Sequence, residues 1–296
     1  MTLSELGTSP DTDAVMHELE KYDLVQHALE LTAYGVTVIP PEKMQVDQDF
    51  VDRLRDAILR TCERRNGIEI GDPDTCTMRF SALNQRIWHL LKEDEVFIEA
   101  AVNPSGLAMA RWLLGRSARL SGTNWIIKSQ NRAPLNLHTD AHGIPPGGGS
   151  IAHHANLSWI CTDYTDADDG PTVFVPGSHL YGRATLPHEQ DLQTTPFKTI
   201  FLNARAGSMA IWNGATWHGA MPRDKPGLRV TLVQSFMRRH MQPIHAWSAE
   251  DFSADMRAKY PELDQILPLP FYPWEDDQEH PERGAAFIRT GTDPYA

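Results

Sequence analysis

The sequence predicts a mainly β fold, a sandwich or closed barrel, covered by N-terminal helices. Three observations predict it. After Gly122 the chain breaks into short apolar or alternating runs ("NWIIKSQ", "HANLSWICTDY", "PTVFVP", "KTIFLNA", "GSMAIWN" and "RVTLVQSF") punctuated by Gly, Pro, Asn and Asp. Many short strands with turn signals make a sandwich or barrel. Before Gly122 the apolar residues recur at helical spacing, and no strand–helix alternation follows, so a parallel α/β sheet is not expected.

The elements follow in order. The first dozen residues are polar and expected to fray. From Asp13 to about Thr32, Val15, Leu19, Tyr22, Leu24, Val25, Ala28, Leu29 and Leu31 keep a helical period, with Asp13 as N-cap. "GVTVIP" is a β-branched strand stopped by Pro40 and Pro41. "DQDFVDRLRDAILRTCERR" is a second helix whose apolar face is Phe50, Leu54, Ile58 and Leu59. "RIWHLLKEDEVFIEAAVNP" and "SGLAMARWLLGR" are helices parted by Asn103-Pro104. Beyond about residue 243 the chain is proline- and acid-rich, and Phe271, Tyr272 and Trp274 suggest a tail packed over the barrel. The expected organisation is one domain over 1–296: a helical part at about 13–120, a β core at about 121–240 and a tail at 241–296.

Composition narrows the partners. A chain of 296 residues with 41% hydrophobic and 22% charged residues is ordinary for a soluble globular protein and long enough for a large core. A net charge of −12 disfavours nucleic acid, though a local arginine can still hold a small anion. Three scattered cysteines, Cys62, Cys76 and Cys161, make neither a disulfide framework nor a CxxC site, which fits a reducing cytoplasm. The N-terminus lacks a basic n-region and an apolar h-region, and no window approaches 18 apolar residues, so no membrane partner is expected.

The chemistry concentrates at "LHTDAHG". If "LNLHTD" ends a strand, His138 and Asp140 point to the same face and can share a metal. Imidazole plus carboxylate suits Fe(II), and one more histidine completes a facial triad with open coordination positions. The best candidate is His218, which follows the run "GSMAIWN" and precedes a turn at Pro222-Arg223-Asp224. Arg229, eleven positions later, opens the next run. A hairpin there would return it beside the metal, where a guanidinium is a natural clamp for a carboxylate.

Other residues have plainer readings. His142, His153 and His154 flank "GIPPGGGSIAHH", but no HExxH or cysteine partner supports a zinc site, and the glycines read as a mobile lid. His179 belongs to a turn, His89 to packing or capping, Trp212 and Trp217 to barrel packing. Arg223, a rival clamp, reads as solvated. Arg64-Arg65 and Arg238-Arg239 also read as solvated faces. Pocket residues are expected from the N-terminal helices, "CTMRFSALNQR" and the glycine loop.

The ordered set His138, Asp140, His218 and Arg229 resembles the Fe(II)/2-oxoglutarate dioxygenases, and "DGPTVFVPGSH" is similar to the "GGT…VPGSH" segment of the phytanoyl-CoA dioxygenase branch. The resemblance runs from "YGVTVIP" to "VQSF". It implies a double-stranded β-helix, or jelly roll. It implies that His138, Asp140 and His218 hold Fe(II), that Arg229 pairs with the distal carboxylate of 2-oxoglutarate, that Thr172 bonds this co-substrate, and that Trp159 lies near the same pocket. The implied reaction uses O2, converts 2-oxoglutarate to succinate and CO2, and hydroxylates, desaturates or epoxidises an unactivated C–H. Halogenases of this superfamily carry Gly or Ala where Asp140 stands. The implied partner is a small molecule, and the acidic balance favours a neutral or apolar one, of specialised metabolism. An acyl-CoA hydroxylase and a non-catalytic cupin-like metal- or ligand-binding protein are the alternatives; a homodimer is admitted and the oligomeric state stays open.

Overall fold

The computed structural model describes residues 10–80, 87–131, 133–141 and 151–268. Its first helices are α1 (Pro10–Lys21) and α2 (Val25–Tyr34). The single helix expected over 13–32 is thus broken: Asp23 adopts φ 53, a left-handed conformation no helix continues through. Asp13 lies inside α1 and is not its cap. Both helices still bury one apolar stripe, Val15, Leu19, Leu24, Ala28 and Leu31.

After β1 (Val36–Ile39), α3 (Gln48–Asn66) starts where the Asp47 carboxylate accepts the Phe50 amide at 2.9 Å. It buries Phe50, Leu54, Ile58 and Leu59. The helix expected from Arg86 is shorter: a 3-10 turn at Leu90–Lys92 precedes α4 (Glu95–Ala101), because His89 sits at φ 59 and Asp94 caps α4. Arg86 itself lies outside the described residues. Asn103 caps α5 (Pro104–Leu114), accepting from Gly106 at 3.0 Å.

The strands are β2 (Arg119–Lys128), β3 (Leu135–His138), β4 (His154–Ile160), β5 (Thr172–Phe174), β6 (Ile200–Phe201), β7 (Met209–Asn213), β8 (His218–Ala220) and β9 (Arg229–Met237). They form a five-stranded sheet, β1-β7-β4-β9-β2, and a four-stranded one, β3-β8-β5-β6. Every strand pair is antiparallel. This is the jelly roll with helical cover.

The larger sheet is buried on both faces, and the period of two divides its residues. Ala155, Leu157 and Trp159 of β4 and Val230, Leu232 and Phe236 of β9 join Leu54, Ile58, Phe97 and Ala108 in the core beneath the helices. Each large side chain removed from water there contributes about 1.5–3 kcal/mol. The alternate residues, His154 and Asn156 of β4 with Arg229, Val233 and Ser235 of β9, face the space between the sheets and line a cavity there.

The hairpin expected between His218 and Arg229 does not form. β8 and β9 belong to different sheets, so the connection crosses the barrel from one to the other. The segment from residue 243 packs back: His245 donates its amide to Ser121 O at 2.9 Å, and α6 (Ala254–Lys259) and α7 (Glu262–Ile266) follow, with Leu263 and Ile266 buried. Phe271, Tyr272 and Trp274 lie outside the described residues. Among the described residues no helix is long and apolar enough to cross a membrane.

Candidate functional site

His138 ends β3 and His218 opens β8, and the register pairs them directly. Their ring centroids are 4.3 Å apart. Beyond β3 the chain is pinned to Gly214, whose carbonyl accepts the Asp140 amide and the Thr139 hydroxyl, each at 3.0 Å. The Asp140 carboxylate thereby turns toward both rings. His138 Nε2 lies 3.7 Å from Asp140 Oδ1, and His218 Nε2 lies 3.4 Å from Oδ2. The three donor atoms fall within 4.8 Å of one another, the one such His/Cys/Asp/Glu group among the described residues. Two ligands at right angles, each about 2.1 Å from a shared ion, lie about 3 Å apart, so the set fits a first-row divalent metal.

The tautomers fit as well. His138 Nδ1 lies 2.9 Å from Asn136 O and His218 Nδ1 lies 3.0 Å from Thr216 O. A carbonyl only accepts, so each Nδ1 carries the proton and each Nε2 keeps its lone pair for a metal. Burial pushes the His218 pKa below its ordinary value, with the nearby Asp140 carboxylate working in the other direction. Burial alone would raise Asp140, but His218, His154, His138 and the Asn156 amide outweigh it and hold the carboxyl below the usual range. The result is an anionic carboxylate beside a His218 imidazole that burial keeps neutral.

Asn156 of β4 donates to Asp140 Oδ2 at 2.6 Å, and its own carbonyl accepts the Ser235 hydroxyl of β9 at 2.7 Å. Phe174 and Trp212 wall the far side of His218, at centroid distances of 6.2 and 5.4 Å.

The cavity has a volume of about 1100 Å³, and His138, Asp140 and His218 line it together with Arg229 and Thr172. Arg229 opens β9 and is 3% exposed. Its guanidinium lies 4.8 Å from the Tyr164 ring, Nη1 donates to Gly170 O, and Nε has no partner. Burial lowers its pKa. Thr172 pairs with Ala220 across β5 and β8.

Trp159 is not part of this cavity, which corrects the expectation for it. It stands on the opposite face of β4, donates its indole N–H to Ala100 O at 3.2 Å and packs 5.0 Å from the Phe50 ring. The alternation of the strand gives the cavity Asn156 instead. Nor do the N-terminal helices line the cavity, because they cover the outer face of the large sheet. Arg79 and Phe80 of "CTMRFSALNQR" do line it, while residues 81–86 lie outside the described residues.

Arg223 is buried rather than solvated: it pairs with Asp169 at 3.1 Å and does not compete with Arg229. The other basic clusters are engaged too. Arg64 and Arg65 both pair with Glu93, and Arg238 donates to the carbonyls of Leu113, Leu114 and Ala152. His179 Nε2 bonds Thr32 O at 3.1 Å, and His89 packs 5.2 Å from His245 and from Trp247. Trp217 packs with Leu137, Val175 and Phe197 in a cluster apart from the cavity, whereas Trp212 lines the cavity. His142 and the glycine loop lie outside the described residues; His153 stacks edge-on to His240 at 5.6 Å, and His154 lines the cavity. Sequence reasoning missed Asn156, Ser235 and Lys128. The signal available was a polar residue on every second position of otherwise apolar strands.

Residues 31–229 match the family described as Phytanoyl-CoA dioxygenase (PhyH). The curated "Dioxygenase af480" of Aspergillus fumigatus is 25% identical over 189 residues, 63% of this chain and 59% of that protein, so the chain spans under two thirds of that relative's length. HygX from Streptomyces hygroscopicus, solved with nickel and 2-oxoglutarate bound, superposes with a TM-score of 0.57 at 19% identity, covering 79% of this chain and 93% of HygX. The epimerase SnoN, solved with Fe3+, alpha ketoglutarate and nogalamycin RO, gives 0.53 at 18% identity over 80% of this chain and 89% of SnoN. At those identities the superpositions speak to fold alone. The match over residues 31–229, which ends on Arg229, places the chain in the phytanoyl-CoA dioxygenase (PhyH) family.

Proposed function

We propose that the protein is an Fe(II)- and 2-oxoglutarate-dependent oxygenase that hydroxylates, desaturates or epoxidises an unactivated C–H of a small organic molecule. The observation that carries this reading is the pairing, in one cavity, of a His138–Asp140–His218 ligand set with the buried Arg229 guanidinium, which among the described residues forms no ion pair with a carboxylate. A metal-storage protein needs the first and has no use for the second.

His138, Asp140 and His218 would hold the ion and, as three protein ligands, would leave positions for co-substrate and O2. Bound Fe(II) with 2-oxoglutarate and O2 supplies the oxidising chemistry, the co-substrate leaving as succinate and CO2. Arg229 holds the distal carboxylate of 2-oxoglutarate, and Thr172 adds a hydroxyl to the same end. Asn156 fixes the orientation of Asp140. Trp212 keeps the space beside His218 apolar, and Val233 and Ile126 add apolar wall to the cavity and limit water. HygX, solved with nickel and 2-oxoglutarate bound, and SnoN, solved in complex with Fe3+ and alpha ketoglutarate, support the cofactor assignment.

A cavity of about 1100 Å³ far exceeds what 2-oxoglutarate fills, which supports a bulky primary substrate. Apolar and aromatic walls at Phe80, Ile87, Trp88 and Ile244 favour a neutral or apolar one. An acyl-CoA fits less well, since Arg64, Arg65 and Arg238 are already engaged. Helical cover, barrel and C-terminal segment act as one domain, and three buried free thiols suit a reducing compartment.

The test is anaerobic loading with Fe(II) followed by 2-oxoglutarate, read by the weak visible charge-transfer band, then succinate release in air. Zinc-loaded protein is the control. Absence of both the band and the succinate removes the reading.

A further inference from the structure

Lys128 closes β2 directly opposite Arg229, the first residue of β9. Both side chains line the cavity. Like charges facing each other across two strands repel, and a buried charge without a counter-ion is costly. Yet among the described residues neither cation forms an ion pair with a carboxylate. The Lys128 ammonium donates to the neutral carbonyl of Met221 at 2.5 Å, and Arg229 to that of Gly170. Asp169, the acid of this region, is taken by Arg223 at 3.1 Å and Lys225 at 2.9 Å. Among the described residues this end of the cavity is therefore a cationic seat with no carboxylate paired to either cation, Asp169 acting on Arg229 only at a distance.

We propose that Lys128 and Arg229 together form a two-cation seat for the distal carboxylate of the co-substrate, with Lys128 a binding residue in its own right. The proposal rests on the 2-oxoglutarate reading above and adds a residue to it. The two cations divide the work by chemistry: the planar guanidinium supplies paired donors, and the ammonium supplies a point charge from the facing strand.

A consequence is that binding is linked to a proton. Burial, with the charges of Arg229 and Arg223, depresses the Lys128 pKa to about 7. The groups facing it are Arg229 from β9, Arg223 from the turn after β8 and the Met221 carbonyl. None of them is an anion. At pH 8 the free lysine is mostly neutral. A dianion seated beside it favours the charged form, so the lysine takes a proton from solvent on binding, and affinity falls as pH rises above 7.

The test is calorimetric titration of the anaerobic Fe(II)-loaded protein with 2-oxoglutarate at pH 8, in two buffers of different ionisation enthalpy. Wild type is expected to take up most of one proton per 2-oxoglutarate bound. Lys128→Arg, always charged, should bind within about threefold of wild type with proton uptake near zero. Lys128→Met should bind tenfold or more weakly, also without uptake. Lys128→Met binding as tightly as wild type overturns the role of Lys128 and leaves the co-substrate reading standing; wild-type binding with no proton uptake overturns the proton linkage. No binding of 2-oxoglutarate by wild type overturns both. Arginine keeps the charge and alters the geometry, so loss of uptake with retained affinity is not what a merely structural lysine would show.

Discussion

Asn156 holds Asp140. Its side-chain amide lies 2.6 Å from Asp140 Oδ2, and its own carbonyl is held by the Ser235 hydroxyl at 2.7 Å. Both histidines of the candidate metal centre come from the small sheet, while the orientation of the anionic ligand is set from the large one. The centre depends on the two sheets keeping their spacing.

Replacing Asn156 with Ala should weaken Fe(II) or Mn(II) binding by roughly 10–100-fold, the usual cost of losing a partner that orients a ligand. Ser235→Ala, one bond further out, should have a smaller effect in the same direction. Direct metal titration decides it; unaltered affinity in Asn156→Ala would show that Asp140 needs no such support.

Arg229→Leu should raise the KM for 2-oxoglutarate by about 10–100-fold, as loss of a charge-assisted hydrogen bond of about 1.5–3 kcal/mol requires. Metal affinity should hardly change, because Arg229 contacts Gly170 and Tyr164 rather than a ligand. A normal KM in steady-state succinate assays would remove Arg229 from the site.

Trp159 should behave in the opposite way. Trp159→Ala is expected to cost about 3–5 kcal/mol of stability, through the cavity left beside Phe50. Trp159→Phe should cost less and leave the KM for 2-oxoglutarate unchanged. Urea unfolding and the KM are measured on the same preparations; a raised KM with unchanged stability would return Trp159 to the cavity.

Asp169 should give stability an acid limb. Burial alone would raise its pKa, but the Lys225 ammonium and the Thr165 amide and hydroxyl bring it well below the ordinary carboxylate range. The folded pKa is depressed, so the stabilisation is fully present above the unfolded value near 4 and is lost as pH falls below it. Asp169→Asn should flatten this limb. It should also cost about 3–5 kcal/mol at neutral pH, because it leaves Arg223 buried without its partner. Urea midpoints between pH 3 and 7 check both effects, and a variant whose acid limb matches wild type contradicts the assignment.

Much of the fold was legible because the signals are local. Alternation and turn residues marked β2, β4, β7 and β9, and the apolar period of α3 named its buried face. His138 and Asp140 could be paired from two positions of sequence, since a strand end and its turn follow local rules. The break at Asp23 was not legible, because one residue in a left-handed conformation leaves the apolar stripe intact on both sides of it. Which face of β4 meets the cavity was not legible either. Both faces are buried, so Trp159 and Asn156 were equally admissible until the helices claimed one of them. The same holds for Arg223 and Lys128. Composition marks each as a cation, but only the fold gives Asp169 to one and leaves the other facing Arg229. Local sequence was enough for most strands, for the buried face of α3 and for the chemistry-bearing residue types. The tertiary structure decided that β8 and β9 lie in opposite sheets, which side chains share the cavity, and which charges find partners, because these depend on contacts between segments far apart in the chain that no local period encodes.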